Sequence, residues 1–123
     1  LLSINIPEPS TLADRYTAAG RTIDPSRGEI VVVATDCHWG IAADVEIDAT
    51  GLDDRSIRYY PVNDAFSSTS KATDESGEAM FLGVPPGTVT ISAGSVALGR
   101  SLGERTIIVR AGAMSFLWMH PNQ

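Results

Sequence analysis

The chain has 123 residues, of which 43% are hydrophobic and 20% are charged, and its net charge is −6. A chain of this length corresponds to one domain that buries roughly two-thirds of its unfolded surface, and this composition excludes a disordered segment. Because an acidic surface repels phosphate groups, the net charge disfavours nucleic acids and anionic membrane surfaces as partners.

The residue types favour strands and turns over helices. Eleven glycines and seven prolines accompany many Val, Ile and Thr residues, a composition typical of short strands joined by turns. Cys37 is the single cysteine, so an intrachain disulfide is excluded and the thiol alone cannot define a metal site. No apolar run reaches the ~18 residues that cross a bilayer, and the absence of an initiator methionine predicts a processed or excised piece of a longer protein.

Residues 1–9, which we call the N-terminal arm, have the period of an extended strand. Apolar and polar residues alternate up to Pro7, with Leu2, Ile4 and Ile6 on one face and Ser3 and Asn5 on the other. This pattern predicts an edge strand or an extended arm that ends at the proline.

A short helix is predicted over residues 11–19. Ser10 is placed to cap its first turn and Gly20 to end it, while Leu12 and Tyr16 fall on one side. A helix this short does not persist alone, so it must dock on a sheet face or on a partner. Residues 24–28 then form a turn-rich joint.

Period-two alternation predicts strands from there to the end of the chain. The clearest case is 43–49, where Asp44, Glu46 and Asp48 alternate with apolar residues. Polar loops are predicted at 50–56 and 63–70. The predicted strands are 29–36, 43–49, 56–62, 69–74, 78–84, 88–93, 95–100, 105–111 and 113–119.

The stretch 73–91 is the most informative part of the chain. Asp74 and Gly77 are suited to a tight hairpin turn, because the first can bond its own backbone and the second tolerates positive φ. Pro85 and Pro86 cannot donate to a central ladder and must end a strand, and Gly87 releases the chain into the next one. That next segment alternates Thr88, Thr90 and Ser92 with Val89, Ile91 and Ala93.

This stretch resembles the carboxypeptidase regulatory-like domain, a transthyretin-like (prealbumin-like) β-sandwich. The residues that match the family pattern outright are Gly77, Phe81, Pro85, Pro86 and Gly87. Ala79, Val84, Val89 and Ile91 stand where the pattern has an aromatic residue, Leu, Tyr and Leu. Residues 28–32, 40–47 and 107–113 fit the start and end of the domain, and residues 24–28 and 109–113 are also similar to copies in predicted surface lipoproteins of myxobacteria.

The resemblance implies an all-β, transthyretin-like Greek-key sandwich of about seven to nine strands. A short N-terminal strand and helix would extend it. Residues 1–27 would form the arm, helix and linker, and residues 28–123 the sandwich domain.

Two predicted strands are apolar on both faces, although a sandwich strand needs only one buried face. Met80 and Leu82 lie opposite Ala79 and Phe81, and 113–119 is similarly apolar. The second face must be covered by the N-terminal helix, by another domain or by a second copy. We favour the helix. The candidate interface residues are Leu2, Ile4, Ile6, Leu12, Tyr16, Met80, Leu82, Leu117 and Met119.

No residue pattern indicates catalysis or a cofactor. Intradiol dioxygenases bind iron through two Tyr and two His, but Tyr59 and Tyr60 are adjacent and so point to opposite faces of a strand. No serine lies in a Gly-x-Ser-x-Gly turn, and the acidic pair at 53–54 does not resemble an EF-hand loop. We therefore expect a protein that is not an enzyme and that holds neither a metal nor a cofactor.

Trp39, Tyr59 and Tyr60 could form a stacking platform for a glycan, since exposed aromatic rings on loops bind sugars. Ordinary packing at the end of the sandwich is the favoured alternative.

Three functions remain open at this stage. The first is a non-enzymatic structural or accessory module of an exported bacterial protein, located at the cell surface, outside the cell or in the periplasm. The second is a self-assembling surface or filament subunit whose N-terminal arm adds to a neighbour's sheet edge. The third is a carbohydrate-binding module. The expected partners are other domains or copies of the same protein.

Overall fold

The computed structural model describes residues 17, 20, 24–35, 40, 43–61, 70–74, 77–95 and 100–119, and this part of the chain forms an all-β sandwich. The strands in chain order are β1 (Gly28–Ala34), β2 (Val45–Ala49), β3 (Ile57–Tyr59), β4 (Glu78–Val84), β5 (Gly87–Ser95), β6 (Arg100–Val109) and β7 (Met114–Met119). The predicted fold class is confirmed.

The strands form two sheets. The larger sheet has the order β3-β4-β1-β7, and the smaller sheet has the order β2-β5-β6. Neighbouring strands are antiparallel, except that β1 and β7 run parallel. The first and last strands of the sandwich are therefore direct neighbours.

The main core lies between the two sheets. On β2, Val45 and Ile47 are buried while Glu46 and Asp48 are exposed, as the alternation in 43–49 predicts. The residues of this core are Ile30, Val32, Ala34, Val45, Ile47, Tyr60, Ala79, Phe81, Val84, Val89, Ile91, Ala93, Val109, Leu117 and Met119.

The predicted diproline corner is confirmed. β4 ends at Val84 in the larger sheet and β5 begins at Gly87 in the smaller sheet, so Pro85 and Pro86 carry the chain from one layer to the other. Gly87 has φ 138°, a conformation that residues with a Cβ rarely adopt.

The turn before β4 is also confirmed, but the strand predicted to precede it is wrong. The Gly77 amide donates to the Asp74 carbonyl at 3.0 Å, and Gly77 has φ 69°. Residues 70–74 contain no strand, because Thr73 uses its main chain and its hydroxyl to bond Val45 at the start of β2.

Two further boundaries differ from the prediction. The separate strand expected at 95–100 is divided between β5, which runs to Ser95, and β6, which begins at Arg100. β2 begins at Val45 and not at residue 43, because Asp44 takes the left-handed conformation with φ 60°.

Most of the predicted N-terminal extension falls outside the described residues. Of residues 1–23 the structure describes Thr17, which is helical, and Gly20, whose amide donates to the Thr17 carbonyl at 3.0 Å and whose φ is 73°. The helix over 11–19 and the domain boundary at residue 27 therefore stay predictions. No helix in the described part of the chain has the length and apolar character needed to cross a membrane.

Candidate functional site

The outer face of the larger sheet, the one turned away from the smaller sheet, is apolar. Val31, Tyr59, Met80 and Leu82 form a second buried cluster there, and Ile57, Met114 and Phe116 are partly buried against it. The register aligns Val31 with Met80 and with Phe116 across three strands. Met80 and Leu82 thus lie on this outer face, where the sequence predicts a covered surface.

Two predicted interface residues lie elsewhere, and this is a correction. Leu117 and Met119 belong to the main core, because the parallel register sets them beside Val32 and Ala34, whose side chains point inward. β7 presents Met114, Phe116 and Trp118 to the outer face instead. Among the described residues, none bonds the buried Nε1 of Trp118.

Tyr59 and Tyr60 point to opposite faces, as their adjacency predicts. Tyr59 is 2% exposed within the outer-face cluster, and Tyr60 is 1% exposed within the main core. Because both rings are buried, neither offers the exposed surface that a stacking platform requires, and this corrects the ligand platform as far as these two residues are concerned.

Tyr60 instead closes the outer edge of β2. The Ile47 amide donates to the Tyr60 hydroxyl oxygen at 2.9 Å, and the Tyr60 hydroxyl is 3.1 Å from the Ile47 carbonyl, which accepts from it. Burial raises the pKa of the Tyr60 hydroxyl, outweighing the lowering by its hydrogen bond to Ile47 and by the charge of Arg58. The side chain of the residue that follows β3 thus satisfies both main-chain groups of a residue at the edge of the smaller sheet.

Arg58 and Thr73 extend the closure of this edge. The Arg58 guanidinium donates to the Ile47 carbonyl at 3.1 Å, pairs with Asp48 and lies 5.8 Å from the centre of the Tyr60 ring. Thr73 accepts from the Val45 amide through its hydroxyl at 3.0 Å and donates its own amide to the Val45 carbonyl at 2.9 Å. The sequence analysis missed these roles, since side-chain bonds to a distant strand leave no periodic signal.

At the opposite edge of the smaller sheet, no described residue pairs with the outer side of β6, and we call this the open edge. The Thr90 carbonyl and amide on β5 both bond Thr50, which lies on the β2 side. The direction of the main-chain groups alternates along an antiparallel strand. On β6, the amide and carbonyl groups of the residue paired with Thr90, and of the residues two positions before and after it, therefore point away from β5. These residues are Glu104, Thr106 and Ile108, which pair with Ser92, Thr90 and Thr88.

Exposure agrees with an open edge at β6. Glu104, Thr106 and Ile108 are all exposed, and Ile108, at 63%, is the exposed large hydrophobic residue of the described chain. On the inward side of the same strand, Ile107 packs against the main core and Val109 belongs to it. The edge therefore offers a mostly polar outer side and an apolar inner side.

A cluster of charges, which we call the lead-in clamp, fixes the chain where it enters β1. Both terminal nitrogens of Arg27 bond the two carboxylate oxygens of Asp53, at 2.7 and 2.8 Å, and one of them also donates to the Gly83 carbonyl at 2.9 Å. Arg55 bonds Asp24 at 2.9 Å. A bidentate pair of this kind holds its two segments in one geometry.

The lead-in clamp also changes the acidity of its carboxyl groups. The hydrogen bond from Arg27 holds the pKa of Asp53 well below its ordinary range. Hydrogen bonds from the Ser26 hydroxyl and amide lower the pKa of Asp24, and the charge of Arg55 adds to this. Both carboxylate oxygens of Asp53, one of the acidic pair at 53–54, are therefore bonded to an arginine.

The remaining predicted site residues lie outside the described part of the chain, so the structure does not place them. They are Leu2, Ile4, Ile6, Leu12, Tyr16 and Trp39. Within the described residues, no three His, Cys, Asp or Glu side chains are arranged to hold a metal ion.

Comparison with known proteins gives a likeness of fold. No known protein family and no curated protein matches the sequence. Among solved structures, the chain is similar to the Bacillus anthracis TIE protein, with a TM-score of 0.51 and 11% identity over 77% of this chain and 16% of that chain. At this identity the likeness shows the sandwich fold alone, and the resemblance to the carboxypeptidase regulatory-like domain stays a prediction.

Proposed function

We propose that this protein is a non-enzymatic structural module of an exported bacterial surface protein, and that it links and positions the parts attached to its two ends. The observation that carries the proposal is the parallel pairing of β1 with β7, from Glu29 beside Met114 to Ala34 beside Met119. Since the two strands run the same way, the chain enters the pair at one end and leaves it at the other.

This geometry suits a spacer. Over six residues at about 3.3 Å each, the paired strands set the points of entrance and exit roughly 20 Å apart. Neighbours on either side would therefore lie at opposite ends of the sandwich, and tension along the chain would act along the β1–β7 pair. All the hydrogen bonds of the pair would then share the load.

The lead-in clamp supports the same proposal. Arg27 ties the segment just before β1 to Asp53 in the loop after β2 and to Gly83 at the end of β4. A neighbour attached through this segment would keep a defined orientation. The TIE protein similarity is compatible with this role, since the shared fold there covers 16% of a longer chain.

Single-molecule pulling tests the proposal. The chain would be stretched through its two termini, and in a second geometry through its N-terminus and a cysteine introduced as Ala111→Cys, with Cys37→Ser in both proteins. Ala111 is exposed and lies before β7, next to the start of β1, so the second geometry peels the pair open one hydrogen bond at a time. We expect a higher unfolding force through the termini. Equal forces in the two geometries would contradict a linking role based on this pair.

A second candidate, the self-assembling surface or filament subunit, is favoured by one specific observation, the open edge at β6. An unpaired strand edge is a template for another strand. The carbohydrate-binding alternative has no comparable support from the described residues.

A further inference from the structure

We propose that the β6 edge over residues 104–108 is a docking site for the N-terminal arm of a second copy of this chain, which would add to the smaller sheet as a further strand. The inference rests on the second candidate function and makes it specific. It identifies the receiving edge, the inserted segment and the direction of growth.

The main chain of β6 provides the binding groups. The amide and carbonyl groups of Glu104, Thr106 and Ile108 point away from β5, and no hydrogen bond to them is formed from outside the strand pair by any described residue. Spaced two residues apart, they match the groups that one side of an added strand presents.

The side chains of β6 fit an amphipathic strand. An added strand continues the two faces of its sheet, so its inner residues would meet Ile107 and its outer residues would meet Thr106 and Glu104. The arm has this pattern, with Leu2, Ile4 and Ile6 on one face and Ser3 and Asn5 on the other. Its apolar face would lie over the rim of the main core, and Pro7 would end the added strand.

The edge strand at the other side of the smaller sheet cannot receive the arm in the same way. Tyr60 already bonds the outward amide and carbonyl of Ile47, and Thr73 bonds those of Val45. Growth of this sheet is therefore confined to β6.

The charged residues of β6 favour the arm over a symmetric contact between two β6 strands. Arg105 lies on the same side of β6 as Ile107 and is exposed. If two β6 strands met with Thr106 opposite Thr106, each arginine would face the Ile107 of the other copy, an arrangement that inward charges on edge strands discourage. The arm has no charged side chain before Glu8.

A second copy is the proposed donor, since within the described residues no segment of the same chain covers this edge. Ile108 keeps 63% of its surface exposed in the chain alone. An arm inserted at β6 would cover much of that side chain. Since arm and edge are different surfaces, the contact is head-to-tail and can repeat into a filament.

A complementation experiment with full-length chains tests the inference. One variant, Ile4→Asp, has an impaired arm and an intact edge; the other, Thr106→Pro, has an intact arm and an edge without its central donor. Proline is tolerated where an edge amide faces solvent. Ile108→Lys is a second edge variant, and Thr88→Lys adds the same charge to the same face on the neighbouring strand as the matched control. Denaturant unfolding verifies that each variant is folded.

Sedimentation measures the mass of each protein over a range of concentrations. We expect the unaltered chain and Thr88→Lys to associate with rising concentration, and Ile4→Asp, Thr106→Pro and Ile108→Lys each to remain monomeric. Mixing Ile4→Asp with Thr106→Pro should give complexes that stop at two chains, because only one intact arm meets one intact edge. Hydrogen exchange in these complexes should slow at Glu104, Thr106 and Ile108.

Three results would overturn the inference. They are an unaltered chain that is monomeric at every concentration, an association that persists in Thr106→Pro and Ile108→Lys, and two single variants that fail to form a complex when mixed. If the unaltered chain were monomeric and Ile4→Asp accelerated exchange at β6, the arm would pair within its own chain, which also overturns the second-copy proposal. None of these results changes the pulling experiment, so the linking role is tested separately.

Discussion

Ile47 on β2 and Ile108 on β6 lie on opposite edge strands of the smaller sheet, and their main-chain groups both point outward. Around Ile47, the Tyr60 hydroxyl and the Arg58 guanidinium reach across from the larger sheet and bond those groups. Around Ile108, the described chain supplies no such bond, and the side chain is 63% exposed. The fold closes the β2 edge, whereas no described residue bonds the outward main-chain groups at the β6 edge.

The difference shows that a sandwich does not protect all its strand edges by one means. β2 is closed by Arg58 on β3 and by Tyr60 and Thr73, which lie between β3 and β4, and all three come from outside its own sheet. On β6, the described residues that discourage pairing with other strands are the exposed charged side chains of Glu104 and Arg105. A sheet that is closed at one edge can add strands only at its other edge, so it can be extended in one direction.

The test with the largest expected effect truncates one isoleucine on each edge strand. Ile47 is fully buried in the main core, so Ile47→Ala should lower the free energy of unfolding by about 2–5 kcal/mol. Ile108→Ala, the matched substitution, should change it by less than about 0.5 kcal/mol. Denaturant unfolding at low protein concentration measures both. Similar losses at the two positions would show that β6 is packed like β2.

A second test opens the closed edge without removing core volume. Tyr60→Phe leaves the Ile47 amide buried without its acceptor, so we expect a loss of about 1–3 kcal/mol and faster hydrogen exchange at Ile47. Thr106→Val is the control on the open edge, since it removes an exposed hydroxyl that bonds the Thr90 hydroxyl at 3.1 Å. It should cost less than about 0.5 kcal/mol. An unchanged exchange rate at Ile47 would show that the tyrosine does not close this edge.

Local patterns were sufficient to predict much of the framework. The alternation in β2 and β5, the turn at Gly77 and the corner at Pro85 and Pro86 are set by residues close in sequence, and each is found where predicted. The apolar second face of β4 was also visible, because Met80 and Leu82 alternate with the core residues.

The features that decide the candidate surfaces depend on contacts between distant segments. The sequence shows that β7 is apolar on both sides, but only its parallel register with β1 shows that Leu117 and Met119 face inward. Residues 70–74 fall in a predicted strand, yet Thr73 bonds Val45 at the start of β2. Neither the bonding of Tyr60 to Ile47 nor the pairing of Arg27 with Asp53 has a period or a motif from which it could be predicted.

The smallest expected effect is a loss of folding stability at alkaline pH, caused by ionisation of the Tyr60 hydroxyl at the β2 edge. Burial raises the pKa of the Tyr60 hydroxyl in the folded protein, whereas an unfolded tyrosine titrates at about 10. Since the folded state holds this proton more tightly, the contribution of Tyr60 is complete below pH about 10 and is lost as the pH rises through the raised folded-state pKa.

The unaltered chain should therefore lose stability above pH about 10 more steeply than Tyr60→Phe, in which this group cannot ionise. Denaturant unfolding of both proteins at a series of pH values gives the difference directly, because the other titrating groups are common to the two chains and cancel. Ile108→Ala should follow the unaltered chain across the same series, since nothing at the open edge depends on the tyrosine proton. Parallel curves for the unaltered chain and Tyr60→Phe would mean that the Tyr60 hydroxyl has the same pKa in the folded and the unfolded state, and would contradict the raised pKa on which this prediction rests.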